Sequence, residues 1–313
     1  MNLRAEIVIL NYNGRDILER YLPSFCQALQ KSRFNCRLSV LDNQSQDDSV
    51  AFLRRAFPDV QVYIAPENRV LCSYNDLARS LDAEILIFMN NDILVDADFI
   101  DPLIEPFLDD ADIFFVTPRC LSLLDKRYEG NKTRGFIRHG LYWSSAIYPG
   151  HEREIDKAGL TLQGGFGAVD RKKFLELGGY DDLYLPGRLE DADLCFWAYK
   201  KGWRCLYEPR SVVYHEGGVS FKRRFGMRKT LVVNWRNTFL FMWKNISDKI
   251  LIFRFFMWLP VRLLVSLATG KPELFLGFWQ ALPLYSKARE RRHAMQKKID
   301  PTRISDQEIF SKV

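Results

Sequence analysis

The sequence lacks the short motifs that mark several large classes of enzyme. It has no G-x-x-x-x-G-K-[ST] loop, which excludes a P-loop kinase or ATPase, and no G-x-G-x-x-G after the first apolar run, which excludes a dinucleotide enzyme. It also has no G-x-S-x-G segment, so the nucleophile elbow of the α/β-hydrolases is missing.

Paired cysteines and long apolar runs are also missing. The six cysteines are scattered without a C-x-x-C pair, which indicates reduced packing thiols rather than a disulfide or zinc framework. The first residues lack the apolar length and cleavage site of a signal peptide, so we expect a cytosolic protein. The longest stretch without a charge, 274–286, has 13 residues, whereas a membrane-spanning helix needs about 20 apolar residues.

Charge is distributed unevenly along the 313 residues. The net charge is +6, but residues 222–298 contain 17 Lys and Arg against three acidic residues. The rest of the chain is therefore acidic. An acidic body followed by a basic, aromatic region suggests that the two parts have different roles.

The first 120 residues alternate between apolar runs and amphipathic stretches. The runs are 6–10, 37–41, 60–64, 85–89 and 113–116, and helical patterns separate them. Continuous apolar strands that alternate with helices are typical of a parallel sheet buried on both faces. We therefore predict an α/β, doubly wound, mostly parallel sheet with ligands beyond the carboxyl ends of its strands.

Three of these predicted strands end in polar residues. The first ends in Asn11-Tyr12-Asn13-Gly14, the second in Asp42-Asn43-Gln44-Ser45 and the fourth in Asn90-Asn91-Asp92. Such residues are common in turns, which is the alternative interpretation of each segment taken alone. Taken together, they predict a polar crevice at one edge of the sheet.

The later segments add a glycine-rich stretch, an acidic helix and a histidine. Residues 119–159 predict loops or a short hairpin over the crevice, and 162–182 contain Gly164-Gly165 and Gly167, which allow close backbone approach. Residues 189–203 predict a helix whose first turn carries Glu190, Asp191 and Asp193. These acids suit the helix dipole, but three of them are more than a cap needs. Residues 205–218 predict a strand that ends in His215 and a Gly-Gly turn.

Asp92 and His215 could hold Mg²⁺ or Mn²⁺ against a diphosphate, since carboxylate and imidazole are common ligands of these ions. A separate carboxylate in the acidic helix could act as general base towards an acceptor hydroxyl. This set suits group transfer from a nucleotide-activated donor.

Seven segments in this order resemble the family 2 glycosyltransferases of the GT-A fold, in particular the rhamnosyltransferase-like branch of bacterial surface polysaccharide synthesis. They are "VILNYNG", "LDNQSQDDS", "PENRVLCSYNDLA", "ILIFMNNDILVD", "LQGGFGAVDRKKFLELGGYDD", "LEDADLCFWAYKKGW" and "VVYHEGG". The resemblance covers about residues 5–220. It implies a GT-A domain at 1–220, with a nucleotide-sugar half at 1–120 and an acceptor-side half at 121–220.

The resemblance also implies inverting transfer of a sugar, possibly rhamnose in that branch, from a nucleoside-diphosphate sugar to a saccharide or polyprenyl-linked acceptor. Asp191 would be the general base, with Glu190 beside it, and Asp92 and His215 would bind the divalent metal, Mg or Mn. Donor contacts would come from Asn11, Asn13, Asp42, Asn68, Asn75, Asn91 and Gly165.

Two positions depart from the family pattern. Val70 stands where the family usually has Gly, and Asn91-Asp92 provides one carboxylate where a D-x-D motif provides two. A nucleotidyltransferase of similar fold and a non-catalytic glycan- or lipid-binding scaffold are the alternatives. A nucleotidyltransferase would need a basic, glycine-rich first loop, where this chain has Arg15 alone.

The C-terminal region, 221–313, predicts amphipathic helices that lie in a membrane interface, with contact through 222–298. Spaced Lys and Arg residues could reach anionic head groups. We therefore expect a cytoplasmic protein that is peripheral at the inner face of the membrane. The alternative is an ordinary helical subdomain packed on the sheet. We expect no nucleic-acid partner, because no recognised binding motif is present.

Overall fold

The computed structural model describes residues 3–216, 226–300 and 303–313. The strands are β1 (Arg4–Asn11), β2 (Asn35–Asp42), β3 (Gln61–Ile64), β4 (Ile85–Asn90), β5 (Ile93–Val95), β6 (Ile113–Ser122), β7 (Tyr128–Gly130), β8 (Arg134–Arg138), β9 (Leu141–Ser145), β10 (Gly159–Leu160), β11 (Gly167–Asp170) and β12 (Arg204–His215). The helices are α1 (Arg15–Lys31), α2 (Ser49–Ala56), α3 (Tyr74–Ser80), α4 (Ile100–Ile104), α5 (Pro106–Asp109), α6 (Arg171–Leu177), α7 (Glu190–Lys201), α8 (Met227–Asn245), α9 (Lys249–Ala268), α10 (Glu273–Ala281), α11 (Tyr285–Lys298) and α12 (Asp306–Lys312).

The predicted apolar strands belong to one sheet. Its strands lie side by side in the order β10-β12-β6-β11-β4-β1-β2-β3. β1 pairs in parallel with both β2 and β4, and β2 pairs in parallel with β3. The predicted α/β class, with parallel β3-β2-β1-β4 and a helical C-terminal extension, is confirmed. The Gly217-Gly218 turn predicted after β12 lies outside the described residues.

The predicted strand at 113–116 is not the direct neighbour of β4. Short antiparallel β11 lies between β4 and β6, paired to both. Gly167 makes this insertion possible. A Cβ on Gly167 would lie 2.3 Å from the carbonyl oxygen of Val116, so a larger residue would push the two strands apart.

Both faces of the central strands are buried, as the apolar runs predict. On β4, Leu86 and Phe88 pack into one hydrophobic cluster, whereas Ile87 and Met89 pack into the other. This alternation follows from the two-residue period of a strand. The residues after the strands can therefore meet at one edge without disturbing either core.

The region at 119–159 contains the predicted hairpin, made of β8 and β9 in antiparallel pairing. The hairpin packs under the C-terminal helices. The ring of Tyr142 stacks on Phe241 of α8 at 4.1 Å between centroids. At the hairpin turn, a Cβ on Gly140 would lie 2.7 Å from the carbonyl oxygen of Arg254 on α9.

The C-terminal helices do not behave as one unit. α8 contributes Phe239 and Leu240 to the cluster that also contains β4 side chains, and Lys244 forms buried ion pairs with Asp181 (2.7 Å) and Asp193 (2.6 Å). α12 is attached through Asp306, whose carboxylate lies 2.5 Å from the buried Lys200 ammonium. α8 and α12 therefore belong to the core of the molecule, in contrast to the single membrane-association region expected for 221–313.

Candidate active site

The polar ends of β1, β2 and β4 meet in one hydrogen-bonded chain. The Asn91 amide donates to Asn11 Oδ1 at 2.8 Å, and the Asn11 amide donates to Asp42 Oδ1 at 3.0 Å. Asn11 and Asp42 are directly opposite each other in the parallel pairing and are fully buried. The structure therefore brings three of the predicted donor-contact residues together at the carboxyl edge of the sheet.

Two hydrogen bonds join the loops after β1 and β2, next to the hydrogen bonds between Asn91, Asn11 and Asp42. Asn13, with φ of +48°, accepts a hydrogen bond from the Gln46 backbone at 2.7 Å, and Ser45 Oγ accepts one from the Asn13 backbone at 2.9 Å. A Cβ on Gly14 would lie 2.2 Å from the Asn91 amide nitrogen. The "NYNG" segment therefore has a glycine where the backbone passes against the strand-end amides.

Asn68 lies on the segment before α3 with part of its amide unused. Its Oδ1 accepts a hydrogen bond from the Val70 backbone at 3.3 Å, whereas its Nδ2 is buried without a partner among the described residues. Val70 has φ of +52°, a conformation that is costly for a β-branched residue. The glycine that the family usually has at this position would relieve that strain.

Asn75 is used elsewhere in the structure. Its amide donates to the Tyr180 carbonyl at 2.8 Å and its Oδ1 accepts from the Tyr180 backbone N–H at 2.9 Å. Asn75 is buried and holds α3 against the 178–184 segment. Its hydrogen bonds are therefore made to Tyr180 and not to Asn11, Asp42 or Asn91, and its predicted contact with the donor stays a prediction.

Asp92 and His215 come together next to this edge. β5 follows Asp92 directly and pairs antiparallel with the end of β12, which places His215 Nε2 3.3 Å from Asp92 Oδ2. Glu129 of β7 completes the group, with its Oε2 3.0 Å from His215 Nδ1. The hydrogen bond with Asp92, supported by Glu129, raises the pKa of His215 to about 9.

These residues fit a divalent metal ion. Asp92 Oδ1 is buried and has no hydrogen-bond partner among the described residues, which leaves a carboxylate oxygen for a ligand. Cys120 Sγ lies within 4.8 Å of the ligand atoms of His215 and Glu129, but burial raises the pKa of its thiol to about 12, so it is a poor ligand for a hard cation. Glu129 contacts Nδ1 of His215 and Asp92 lies at Nε2, so Glu129 orients the imidazole ring from the side opposite Asp92. No sequence pattern indicates Glu129, because β7 lies in a stretch without a motif.

Glu190 and Asp191 begin α7 beside the glycine-rich segment. A Cβ on Gly165 would lie 3.5 Å from Asp191 Oδ2, so the glycine backbone passes close to this carboxylate. Burial raises the pKa of Asp191. Burial and the neighbouring Asp191 raise the pKa of Glu190 to about 8. At neutral pH the pair therefore retains one proton, and one carboxylate remains able to accept another.

Asp193 is separated from this pair by its partners. It is buried against Lys244, accepts a hydrogen bond from the Tyr184 hydroxyl at 2.7 Å and accepts another from the Asn245 amide at 2.8 Å. Of the three acids in the first turn of α7, Asp193 is thus a structural residue that anchors α8.

A cavity of about 550 Å³ opens in front of Glu190 and Asp191. Three polar atoms of its wall are buried without partners among the described residues: Tyr142 OH, Trp143 Nε1 and Glu190 Oε2. Such atoms are available to hydroxyl groups of a ligand. Residues that the sequence did not predict come from the hairpin and from α8 (Tyr142, Trp143, Ser144, Asn234, Trp235 and Thr238).

The described fold is similar to those of several solved glycosyltransferases of the GT-A class. GalNAc-T7, solved with UDP, GalNAc and Mn²⁺, matches with a TM-score of 0.56 and 19% identity over 75% of this chain and 47% of that chain. The mannosyltransferase PcManGT of Pyrobaculum calidifontis, solved with GDP-Man and Mn²⁺, matches with a TM-score of 0.52 and 15% identity over 95% of this chain and 85% of that chain. At these identities the likeness shows the fold.

The family follows from the sequence. The family model described as "Glycosyl transferase family 2" matches residues 6–178, more than half of the chain. The chain belongs to glycosyl transferase family 2, which confirms the predicted resemblance.

A similar curated protein is the O-antigen chain rhamnosyltransferase RfbN of Salmonella typhimurium (strain LT2), 24% identical over 71% of this chain and 69% of that protein. A Drosophila melanogaster protein described as a polypeptide N-acetylgalactosaminyltransferase 10 is 27% identical over 44% of this chain. The match spans 23% of that protein, so the chain corresponds to about a quarter of its length.

Proposed function

We propose that the protein is an inverting glycosyltransferase that moves a sugar from a nucleoside-diphosphate sugar to a saccharide acceptor. The observation that carries this proposal is the Asp191 carboxylate, which faces a cavity large enough for a sugar and comes from a different segment than the Asp92–His215 group. An inverting transfer needs this separation, because the acceptor oxygen attacks the anomeric carbon opposite the departing diphosphate.

Each group of residues has a task in this reaction. Asn11, Asp42 and Asn91 bind the nucleoside side of the donor, and Asn13, Asn68 and Gly165 contribute to the donor pocket. Asp191 accepts the proton of the acceptor hydroxyl as its oxygen bonds to the anomeric carbon. Glu190, protonated at neutral pH, can donate a hydrogen bond to the acceptor.

Asp92 and His215 would hold a divalent metal, Mg²⁺ or Mn²⁺, and Glu129 would orient the His215 ring through its other nitrogen. A cation there would neutralise the negative charge that develops on the leaving nucleoside diphosphate. The orphaned Asp92 Oδ1 supports this assignment. His215 lies next to Asp92, and its imidazole must lose the proton that it shares with Asp92 before it can bind the metal.

Family membership favours this activity over the nucleotidyltransferase alternative. The match to RfbN, named as a rhamnosyltransferase of O-antigen chains, favours rhamnose and a role in cell-surface polysaccharide synthesis. A lipid-linked saccharide is the acceptor class that best suits an enzyme beside a membrane.

Peripheral membrane contact through α9 is also part of the proposal, together with a cytoplasmic location at the inner face of the membrane. Phe253, Phe256 and Leu264 of α9 are 64%, 63% and 68% exposed, and Lys249 precedes them at the start of the helix. Among the described residues, α9 is also the one helix that by length and composition could cross a membrane, in contrast to the expectation from charge-free runs. Basic residues next to an exposed apolar helix face favour anionic lipid.

The test of the catalytic proposal is donor turnover and transfer across a panel of nucleotide sugars, with Mg²⁺ or Mn²⁺, for wild type and Asp191→Asn. We expect one donor to raise the melting temperature of both proteins, because ligands that bind the native state stabilise it. Transfer to an acceptor should fall about 10²- to 10⁴-fold in Asp191→Asn, since a general base is removed while its shape is kept.

Asp76→Asn, which makes the same change at a side chain of α3 that is 42% exposed, is the matched control and should transfer at the wild-type rate. Full transfer by Asp191→Asn would show that the base is another residue. A wild-type protein that binds and turns over no nucleotide sugar would instead be the non-catalytic scaffold.

A further inference from the structure

A second cavity, of about 440 Å³, lies next to the Asp191 cavity. Trp235 of α8 lines both cavities and forms the wall between them. The second cavity is mainly apolar and is bounded on one side by α9, whose Trp258, Val261 and Val265 are 40%, 46% and 54% exposed. The Asp191 cavity and the exposed apolar face of α9 therefore lie on either side of Trp235.

Arg262 lies at this boundary, beside the contacting indole rings of Trp143 and Trp235. Its guanidinium carbon lies 5.5 Å from the Trp143 ring centroid and 5.4 Å from the Trp235 ring centroid. Its Nε is buried and has no hydrogen-bond partner among the described residues. The two rings stabilise the cation through their faces and hold its planar group in place, but they offer no acceptor to its N–H groups.

The surroundings of Arg262 are short of negative charge. Among the described residues, no ion pair involves Arg262 or its neighbour Arg138 of β8, and burial together with Arg138 lowers the pKa of Arg262. Glu273 also lines the cavity, but its carboxylate lies 3.7 Å from Arg228 and beyond ion-pair distance of Arg262. A half-buried guanidinium with an unused donor and a second cation nearby suits a bound phosphate.

A ligand of this cavity must also suit its mainly apolar lining. The cavity is lined by Leu231, Trp235, Trp258 and Val261, so an inorganic anion would leave most of this surface uncovered. A phosphate that carries a hydrocarbon chain would place its charge at Arg262 and its chain along α9. Its other substituent would then point past Trp235 towards Asp191.

The geometry points to Arg262 as the binding residue for the phosphate that joins the acceptor saccharide to a lipid. The saccharide would occupy the Asp191 cavity and the lipid chain would lie on Trp258, Val261 and Val265. This inference rests on the proposed function, which it deepens by assigning the acceptor to the lipid-phosphate-linked saccharides.

The experiment measures binding of farnesyl phosphate, a short prenyl phosphate, to the full-length protein by tryptophan fluorescence, since Trp143 and Trp235 flank the proposed site. The protein variants are wild type, Arg262→Gln and Arg254→Gln, the last being the same change at an exposed position of the same helix. Farnesol and inorganic phosphate are the control ligands, and melting temperatures establish that each variant is folded. Arg262→Lys keeps the charge without the planar group and serves if Arg262→Gln does not fold.

We expect Arg262→Gln to weaken farnesyl phosphate binding at least about tenfold, as loss of a charge-assisted phosphate contact does, while Arg254→Gln changes it less than about twofold. Farnesol should bind wild type and Arg262→Gln equally, and inorganic phosphate should bind both weakly. Arg262→Lys should fall between wild type and Arg262→Gln.

Three results would overturn the inference. The first is equal weakening by both arginine changes, and the second is farnesyl phosphate binding no tighter than farnesol. The third is an equally large loss of binding to phosphatidylglycerol vesicles in Arg262→Gln, which would make Arg262 a contact for membrane head groups in general. None of these results depends on sugar transfer. Failure of the proposed function would appear separately, as a wild-type protein without donor turnover.

Discussion

Glu190 and Asp191 are adjacent acids at the start of α7, yet their environments differ. Glu190 is buried with one carboxylate oxygen unpartnered among the described residues, whereas Asp191 is only partly buried. Burial and the Asp191 charge raise the pKa of Glu190 from 4.5 to about 8. A protonated Glu190 at neutral pH agrees with the proposed role of Asp191 as the base.

Glu190 should make the stability of the protein depend on pH. Between about pH 4.5 and 8 the folded protein keeps a proton that the unfolded chain gives up, so the free energy of unfolding falls as pH rises. Glu190→Gln has no such proton to lose. We expect its melting temperature relative to wild type to increase from pH 5 to pH 8, by the equivalent of about 1 kcal/mol per pH unit, and to level off above pH 8.

The measurement is a series of thermal unfolding curves across this pH range. Glu290→Gln, the same change on the exposed side of α11, is the control and should follow the wild-type curve. A constant difference between Glu190→Gln and wild type at all pH values would show that Glu190 is ionised in the folded protein.

Sequence patterns identified the acidic residues of α7 but could not predict that Asp191 and Asp193 have different partners. Asp191 and Asp193 are two positions apart on one helix and have the same chemistry. They differ because Lys244 and Asn245 arrive from α8, some fifty residues later in the chain. Glu129 was missed for the same reason, since nothing next to it in sequence indicates that it will contact His215.

Asn237 of α8 supports the backbone segment that leads into the acids of α7. The Asn237 amide nitrogen lies 2.8 Å from each of three carbonyl oxygens, those of Tyr184, Gly187 and Arg188. These carbonyls belong to the segment that enters α7, in which Arg188 and Leu189 have φ of +80° and +73°. A fully buried asparagine thus holds the backbone that presents Asp191 in a conformation it would rarely adopt alone.

Removing this support should affect transfer more than donor binding. We expect Asn237→Ala to lower kcat for transfer by about 10- to 100-fold, because a base that moves by 1 Å loses its alignment with the acceptor. Donor affinity should change less than about threefold, since the strand-end residues are untouched. Steady-state transfer kinetics and donor titrations would measure the two effects.

Asn245→Ala is the matched control, because it removes a buried asparagine from the same helix without touching the Gly187 and Arg188 carbonyls. Both variants should lose about 1 to 3 kcal/mol of stability from unpaired buried groups. If Asn245→Ala loses as much kcat as Asn237→Ala at a temperature where both are folded, the effect belongs to general loosening of α8.

Over the whole molecule, the described structure combines a sheet domain with helices of two kinds. α8 and α12 complete the core, and α9 leaves an apolar face exposed. Removal of residues 222–313 would therefore remove part of the core together with the proposed membrane surface. The contribution of α9 has to be measured by surface substitutions instead.

We expect wild type to co-sediment with vesicles that contain phosphatidylglycerol, and Phe253→Ser/Phe256→Ser to remain largely in solution. Each phenylalanine that no longer enters the lipid interface removes about 1.5 to 3 kcal/mol, so the partition coefficient should fall at least about a hundredfold. Leu108→Ser/Leu124→Ser removes two exposed apolar side chains from α5 and from the turn after β6, and should bind as wild type does. Equal binding by all three proteins would contradict a membrane role for α9.

The sequence by itself determined the α/β class, the parallel order of the first strands and the polar edge at which they end. These features depend on the two-residue and 3.6-residue periods of neighbouring residues, which the chain carries locally. It also determined the family, since the seven segments that resemble family 2 glycosyltransferases can be recognised from the sequence alone. The tertiary structure alone decided that Glu129 and Asp92 both contact His215, that Asp193 pairs with Lys244, and that α8 supplies one wall of the Asp191 cavity. Those outcomes depend on contacts between residues far apart in the chain, which no local pattern encodes.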